Sequence, residues 1–234
     1  MKIFFLIVIL MSSFLSFGKH RWNLQPDGSI RWEIKNDIPH SDHLEMSGEQ
    51  ISAVLRYGVN ADGSFSLERS LIWPMLRTLP NNTHASLMQR YAIDIPSLLT
   101  INGKTLKNEK VEAVSLDGML TVTSEYTIPV TVGLVRKIFP SPENPVLCEQ
   151  YQVKNNSGKI MTITIPELKS IYRTDPEKGT EGSYTIETGI RNAGVKKLSP
   201  GQEVSFDAYI MAYTTSRPVP TFDVEREHLA RRDF

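Results

Sequence analysis

The sequence predicts an all-β fold, a two-sheet antiparallel β-sandwich with one or two short helices, on three observations. Short runs of β-branched and aromatic residues recur along the chain. Gly, Asn, Asp or Pro closes most of these runs, as is typical of strands joined by hairpins. Several runs alternate apolar and polar residues, the pattern of a strand with one buried face. So many strands in 234 residues require two packed sheets.

The first half of the chain contains the clearest hairpins. Residues 29–34 form the first predicted strand, with Ile30 and Trp32 on its apolar face. The next hairpins are predicted where Gly in a short polar turn supplies a positive φ. Their paired strands are residues 51–59 and 64–73 around Asp62-Gly63, 99–101 and 104–106 around Asn102-Gly103, and 111–116 and 119–126 around Asp117-Gly118. Because the last two hairpins follow each other directly, we expect them to form a meander.

The second half of the chain continues the strand pattern. Further strands are predicted at residues 130–139, 146–154, 160–165, 184–190 and 203–213. In the last of them Phe206 and Ala208 alternate with Ser205, Asp207 and Tyr209, so one face should be buried and the other wet. Two helices are predicted, at residues 84–93 and 224–232. The second is highly charged, and we interpret residues 221–234 as a helical linker toward a further, C-terminal domain.

Composition and the first residues limit the function classes. The chain has 26 basic and 26 acidic residues, so no net charge favours nucleic acid or an anionic membrane as a partner. Residues 1–18 have the basic start, apolar stretch and small residues of a secretory signal peptide. After cleavage we expect a secreted or periplasmic domain over residues 19–220 without a membrane anchor. The single cysteine, Cys148, lies in an apolar run and is predicted to be a buried structural thiol.

Three stretches of the sequence resemble a known family. They are residues 38–48 (IPHSDHLEMSG), residues 69–78 (RSLIWPMLRT) and residues 198–204 (LSPGQEV). Together with the order of the strands, they resemble the N-terminal β-sandwich domain of Bacteroidetes-type secreted six-hairpin glycosidases. The resemblance implies a supersandwich similar to galactose-mutarotase-like domains, packed against an (α/α)6 catalytic barrel. The acid and base carboxylates of such enzymes belong to the barrel, which these residues do not contain.

Residues 40–45 are the first candidate for ligand contact. His40, Asp42, His43 and Glu45 lie within six residues, close enough for several to reach one sugar hydroxyl or metal ion. In an extended segment, however, His40 and Asp42 point to one side and His43 and Glu45 to the other. The spacing matches no standard zinc motif, so we expect no metal. A solvated loop against a neighbouring domain is the alternative interpretation.

Residues 69–84 are the second candidate. They combine Trp73 with Arg77, Asn82 and His84, and this mixture suits a sugar, whose C–H face packs on an aromatic ring. The alternative is that Trp73 fills the core or a domain interface. No catalytic residue and no cofactor are predicted.

The leading hypothesis is a non-catalytic N-terminal domain of a glycoside hydrolase-like protein. It would pack on a catalytic domain, in cis or as a separate chain, and contribute to the rim of its glycan site. One alternative is a stand-alone carbohydrate-binding module. Another is a mutarotase- or lyase-like enzyme in which His40, His43 or His84 acts as acid or base.

Overall fold

A computed structural model describes residues 21–80 and 85–234, so the predicted signal peptide, residues 1–18, lies outside the described residues. Strands dominate the described part of the chain, and the elements follow one another in this order. They are β1 (Asn23–Leu24), β2 (Ile30–Glu33), β3 (His40–Ser47), β4 (Ser52–Val59), β5 (Phe65–Arg77), β6 (Ser86–Tyr91), β7 (Thr100–Ile101), β8 (Lys104–Thr105), β9 (Lys107–Leu116), β10 (Leu120–Ile128), β11 (Val132–Pro140), β12 (Val146–Asn155), β13 (Met161–Ile165), β14 (Lys169–Arg173), β15 (Tyr184–Arg191), β16 (Gly194–Leu198), β17 (Glu203–Thr214) and α1 (Val224–Asp233).

The strands form a sandwich in which two small sheets cover one face of a large one. The large sheet has nine strands in the order β1-β2-β9-β10-β11-β12-β17-β15-β14. The small sheets have four strands each, ordered β3-β4-β5-β6 and β16-β13-β7-β8. Each small sheet shares a hydrophobic cluster with the large sheet, one around Trp32 and Trp73 and the other around Tyr151 and Phe206. The predicted antiparallel β-sandwich is therefore confirmed.

Turn chemistry explains the hairpins. Asn102 and Gly103 both have positive φ, 51° and 76°, and join β7 to β8, while Gly118 with φ 80° lies between β9 and β10. Both predicted hairpins are confirmed. The expectation that they form one meander is wrong, because β7 and β8 belong to a small sheet. The meander of the large sheet is β9 to β12, and β17, β15 and β14 continue that sheet.

The predicted helix at residues 84–93 is also wrong, because residues 86–91 form strand β6. This strand pairs antiparallel with the second half of β5. In this pairing Tyr91 lies opposite Arg69 and Leu87 lies opposite Trp73. Leu87 is 6% exposed and packs in the core, whereas its neighbour Met88 is 55% exposed. Pairing with β5 thus overrides the weak local helix preference.

Helix α1 packs on the opposite face of the large sheet. Asp223 caps it by accepting a hydrogen bond from the Arg226 amide at 2.9 Å. The buried Glu227 accepts hydrogen bonds from Ser141 and, at 2.7 Å, from the Asn144 side chain. The helix predicted at residues 224–232 is therefore present and is fixed to the sandwich. No helix within residues 21–80 and 85–234 is long and apolar enough to cross a membrane.

Two buried ion pairs lie between the two hydrophobic clusters. The Arg69 guanidinium on β5 binds Glu149 on β12 through two hydrogen bonds, one of them Nη2–Oε2 at 2.8 Å. Both side chains are 2% exposed. The Tyr151 hydroxyl also donates to Glu149. The second pair joins Arg136 to Glu109, and the Arg136 guanidinium also donates to the Tyr126 hydroxyl at 2.7 Å. The first pair therefore ties a small sheet directly to the large one.

Removal of one member of the Arg69 pair should destabilise the fold strongly. We expect Arg69→Met to lower the free energy of unfolding by about 3–5 kcal/mol, because Glu149 would remain buried without its cation. The double variant Arg69→Met/Glu149→Met should recover part of this loss, because no buried charge is left. Urea denaturation monitored by tryptophan fluorescence measures both values.

The matched control is Arg56→Met, which removes the exposed ion pair with Glu68 on the same small sheet. Its effect should stay below about 1 kcal/mol. Equal losses in the two single variants would contradict the structural role given to the buried pair.

Candidate functional site

The four residues of the first sequence candidate lie on strand β3, an edge strand of a small sheet. The interpretation of this segment as a loop is wrong, since residues 40–47 pair with β4 throughout. His40 packs edge-on against the Trp32 ring, with centroids 5.2 Å apart, and its Nε2 lies 3.3 Å from Arg21. The extended strand puts His43 and Glu45 on the other face, as the alternation predicts. His40 and His43 therefore do not converge on one site.

In the second sequence candidate, the structure contradicts the expected role of Trp73 as a surface for a sugar. Trp73 is fully buried and its indole N–H donates to the Pro145 carbonyl at 2.9 Å, so no ring face is open to a sugar. Its size and apolar surface explain this burial in the core. The Arg77 guanidinium donates to the Ser86 hydroxyl at 3.2 Å. Asn82 and His84 lie outside the described residues.

The two sequence candidates also lie far apart. His40 opposes Val59, and Val59 opposes Phe65, at the start of β5. Trp73 is eight residues further along the same strand, which corresponds to about 26 Å at the rise of a β-strand. Among the predicted contact residues that the structure describes, those on β3 and those on β5 therefore do not meet in one pocket.

A different arrangement stands out on the outer face of the large sheet. The cross-strand register aligns one lateral row of directly opposed residues over eight strands, from β1 to β15. In order, the row contains Asn23, Arg31, Ser115, Thr121, Lys137, Gln150, Asp207 and Arg191. Every member is polar, and at the spacing of neighbouring strands the row is about 34 Å long. We call this set the polar row.

Two depressions follow the polar row and meet at Lys137. One, of about 550 Å³, lies over Lys137, Gln150, Asp207 and Arg191. The other, also of about 550 Å³, is lined by row members on the other side of Lys137 and by the turn before β2. Seven of the eight row residues line one or both depressions. Together they form a long polar groove across the sheet.

Helix α1 forms one wall of the groove. Its first turn lies beside the row, where the Gln150 side chain donates to Glu225 at 3.1 Å. The adjacent lateral row, Phe139, Cys148 and Tyr209, is apolar and contacts Val224 of the helix segment. Tyr209, expected on the wet face, is 8% exposed for this reason. The helix thus covers the apolar row and leaves the polar row open.

Asp207 has the most perturbed carboxyl group in the groove. Burial raises its pKa to about 6, and the negative charges of Asp223 and Glu225 act in the same direction. The positive charge of Arg191 opposes this rise. Arg191 is itself held in place, since it donates to the Phe222 carbonyl at 2.9 Å and lies over the Phe222 ring. The groove therefore contains an acid that titrates near pH 6.

The chemistry of the groove suits a ligand with many hydroxyl groups. Lys137 and Arg191 supply hydrogen-bond donors, and the Gln150 amide supplies both a donor and an acceptor. Carboxylates such as Asp207 and Glu225 accept hydrogen bonds. Positive and negative groups are interspersed, so the groove does not select strongly for one charge. No group of three or more His, Cys, Asp or Glu side chains that could hold a metal ion occurs among the described residues.

The sequence contained part of the evidence for this groove. Thr121 lies between two apolar neighbours, which marks it as outward-facing, whereas Lys137 and Gln150 each follow a charged residue, so the apolar–polar alternation is interrupted there. Their alignment into one row depends on cross-strand register, which the alternation alone does not determine.

No family model matches the sequence, and no curated protein matches it significantly.

The raised pKa of Asp207 predicts a pH-dependent stability. Since its folded-state pKa lies above the ordinary value of 3.8, ionisation costs more in the folded state. This penalty is absent at low pH, grows as the pH rises from about 4 to about 6, and stays constant above that. We therefore expect Asp207→Asn to be more stable than the wild type at pH 7.5 and equally stable near pH 4. Chemical denaturation at both pH values measures the difference.

Asp233→Asn, which changes an exposed aspartate at the end of α1, is the matched control. It should not alter the pH dependence over this range. A loss of stability in Asp207→Asn at pH 7.5 would contradict the proposed environment of the carboxyl group.

Proposed function

We propose that this chain is a non-catalytic domain of a secreted glycoside hydrolase-like protein and that it binds glycan along the polar row. The polar row is the observation that supports this proposal best. Its members face solvent from a rigid sheet, and rigid elements hold donors and acceptors at fixed spacing. An elongated glycan offers hydroxyl groups along its whole length, so it matches an open groove better than a compact ligand does.

The shape of the groove favours binding of a chain over binding of a single small molecule. Pockets for small molecules are usually concave and mostly apolar, and they enclose most of the ligand. The groove is instead long and polar, and it crosses most of the large sheet. A glycan chain in it would contact several row members at once, including Lys137, Gln150 and Asp207. Weak individual hydrogen bonds would then add up to useful affinity.

The proposed partner is a catalytic domain of the (α/α)6 type, either in cis or as a separate chain. This part of the proposal rests on the family resemblance of residues 38–48 and 69–78. In this arrangement the sandwich holds the glycan and the partner cleaves it. A stand-alone carbohydrate-binding module would use the same groove without such a partner.

Variants of the polar row test glycan binding. Affinity electrophoresis in gels that contain xylan, β-glucan, pectin or alginate shows binding as slower migration. We expect at least one polysaccharide to retard the wild type. The double variant Lys137→Ala/Gln150→Ala should bind about tenfold more weakly, because it removes an amine and an amide from the middle of the groove.

His43→Ala is the matched control, since it alters the shallow depression on the outer face of the small sheet, which Asp42, Arg56 and Glu68 also line. The control should bind as the wild type does. If His43→Ala weakens binding and the double variant does not, the glycan site lies at the sequence-predicted residues and the groove proposal is wrong. If no polysaccharide retards the wild type, the groove proposal is also wrong.

A further inference from the structure

A second cavity lies at the open side of the sandwich, between two edge strands. Strand β6 ends one small sheet and strand β14 ends the large sheet, so within residues 21–80 and 85–234 neither has a further strand beside it. Between them lies a cavity of about 280 Å³, which we call the edge slot. This volume is close to the lower limit of about 300 Å³ for small-molecule pockets.

Backbone contacts close one end of the edge slot. At one end the backbone joins the two sides, because the Leu79 amide donates to the Lys178 carbonyl at 2.8 Å and Thr78 forms a β-bridge with Gly179. Because one end is closed, a long chain cannot enter the slot at one end and leave at the other. It can hold one ring.

The floor and the rim of the edge slot differ in chemistry. Leu87 and Ile186 form an apolar floor and are 6% and 3% exposed. Tyr172 stands on the rim and is 60% exposed, so one face of its ring is open to solvent. Asp175 and Lys178 also line the slot and bring one negative and one positive charge. The slot is therefore amphipathic and carries no net charge.

Gln89 completes the set of polar groups. It lies on β6 and lines the slot opposite β14. Gln89 is exposed, and within the described part of the chain its side-chain amide makes no hydrogen bond, so a donor and an acceptor are both available to a ligand. An aromatic ring face with nearby amide and carboxylate groups suits a pyranose, which has an apolar C–H face and polar hydroxyl edges.

We infer that the edge slot binds a single neutral pyranose unit, with its C–H face against Tyr172 and its hydroxyl groups toward Gln89 and Asp175. This inference goes beyond the proposed function, because the slot lies between the sheet edges and the polar row lies on the outer face of the large sheet. The two sites would hold different parts of a glycan, a single terminal unit in the slot and an internal stretch in the groove. The slot proposal stands even if the groove binds nothing.

Methyl pyranosides are the probe for the edge slot, because they offer one ring and no chain. Saturation-transfer difference NMR with methyl α- and β-glucopyranoside, galactopyranoside and mannopyranoside should show transfer to the C–H protons of at least one of them. Titration of that sugar gives its dissociation constant. Tyr172→Ala should weaken binding at least about tenfold, whereas Tyr172→Phe should stay within about threefold of the wild type.

Ile171→Ala is the matched control. Ile171 is the neighbouring residue on the same edge strand, it is 52% exposed, and the strand alternation turns it to the opposite face. It should bind the sugar as the wild type does, and a thermal melt of each variant checks that the fold is intact. The double variant Lys137→Ala/Gln150→Ala should also bind methyl pyranosides normally, which separates this test from that of the groove.

Three results would overturn the inference. They are the absence of saturation transfer to every methyl pyranoside, unchanged binding in Tyr172→Ala, and an equal loss of binding in Ile171→Ala. In the first of these cases, Tyr172-dependent transfer to 1-hexanol would identify the slot as a site for an aliphatic chain.

Discussion

The rest of the structure depends on the buried ion pair between Arg69 and Glu149. It connects β5 of a small sheet to β12 near the middle of the large sheet, and both side chains are almost completely excluded from water. A buried charge without its partner is costly, whereas hydrophobic contacts alone tolerate small shifts. The pair therefore favours the position of the small sheet in which the two charges meet over any shifted position that would separate them.

The same pair also fixes which residues of β12 face outward. Neighbouring residues of a strand point to opposite faces, so burial of Glu149 places Gln150 on the outer face. A shift of the strand by one residue would move Glu149 into solvent and Gln150 into the core. Gln150 lies between Lys137 and Asp207 in the polar row. The requirement to neutralise a charge in the core thus maintains the groove on the opposite side of the sheet.

The sequence predicted the fold class and most strands, because alternation and turn residues are local features. Asp117-Gly118 sets the β9–β10 hairpin through a backbone angle that glycine adopts easily. The polar row could not be predicted, because it depends on the pairing of β12 with β17, about fifty residues later in the chain.

Trp73 was predicted as a candidate sugar platform, since a sequence shows an aromatic residue but not whether other strands cover it. The helix expected at residues 84–93 is replaced by strand β6. Its pairing with β5 is a contact outside the segment itself, and local propensity does not report such contacts.

The position of Cys148 has a practical consequence. It is the only cysteine of the sequence, and it lies fully buried in the apolar row beneath the helix segment. Burial raises the pKa of its thiol, so the reactive thiolate is scarce while the helix stays docked. Departure of α1 would expose the sulfur to water and to thiol reagents. The native chain thus contains its own chemical reporter, and the rate of alkylation would measure how often the helix leaves the sheet.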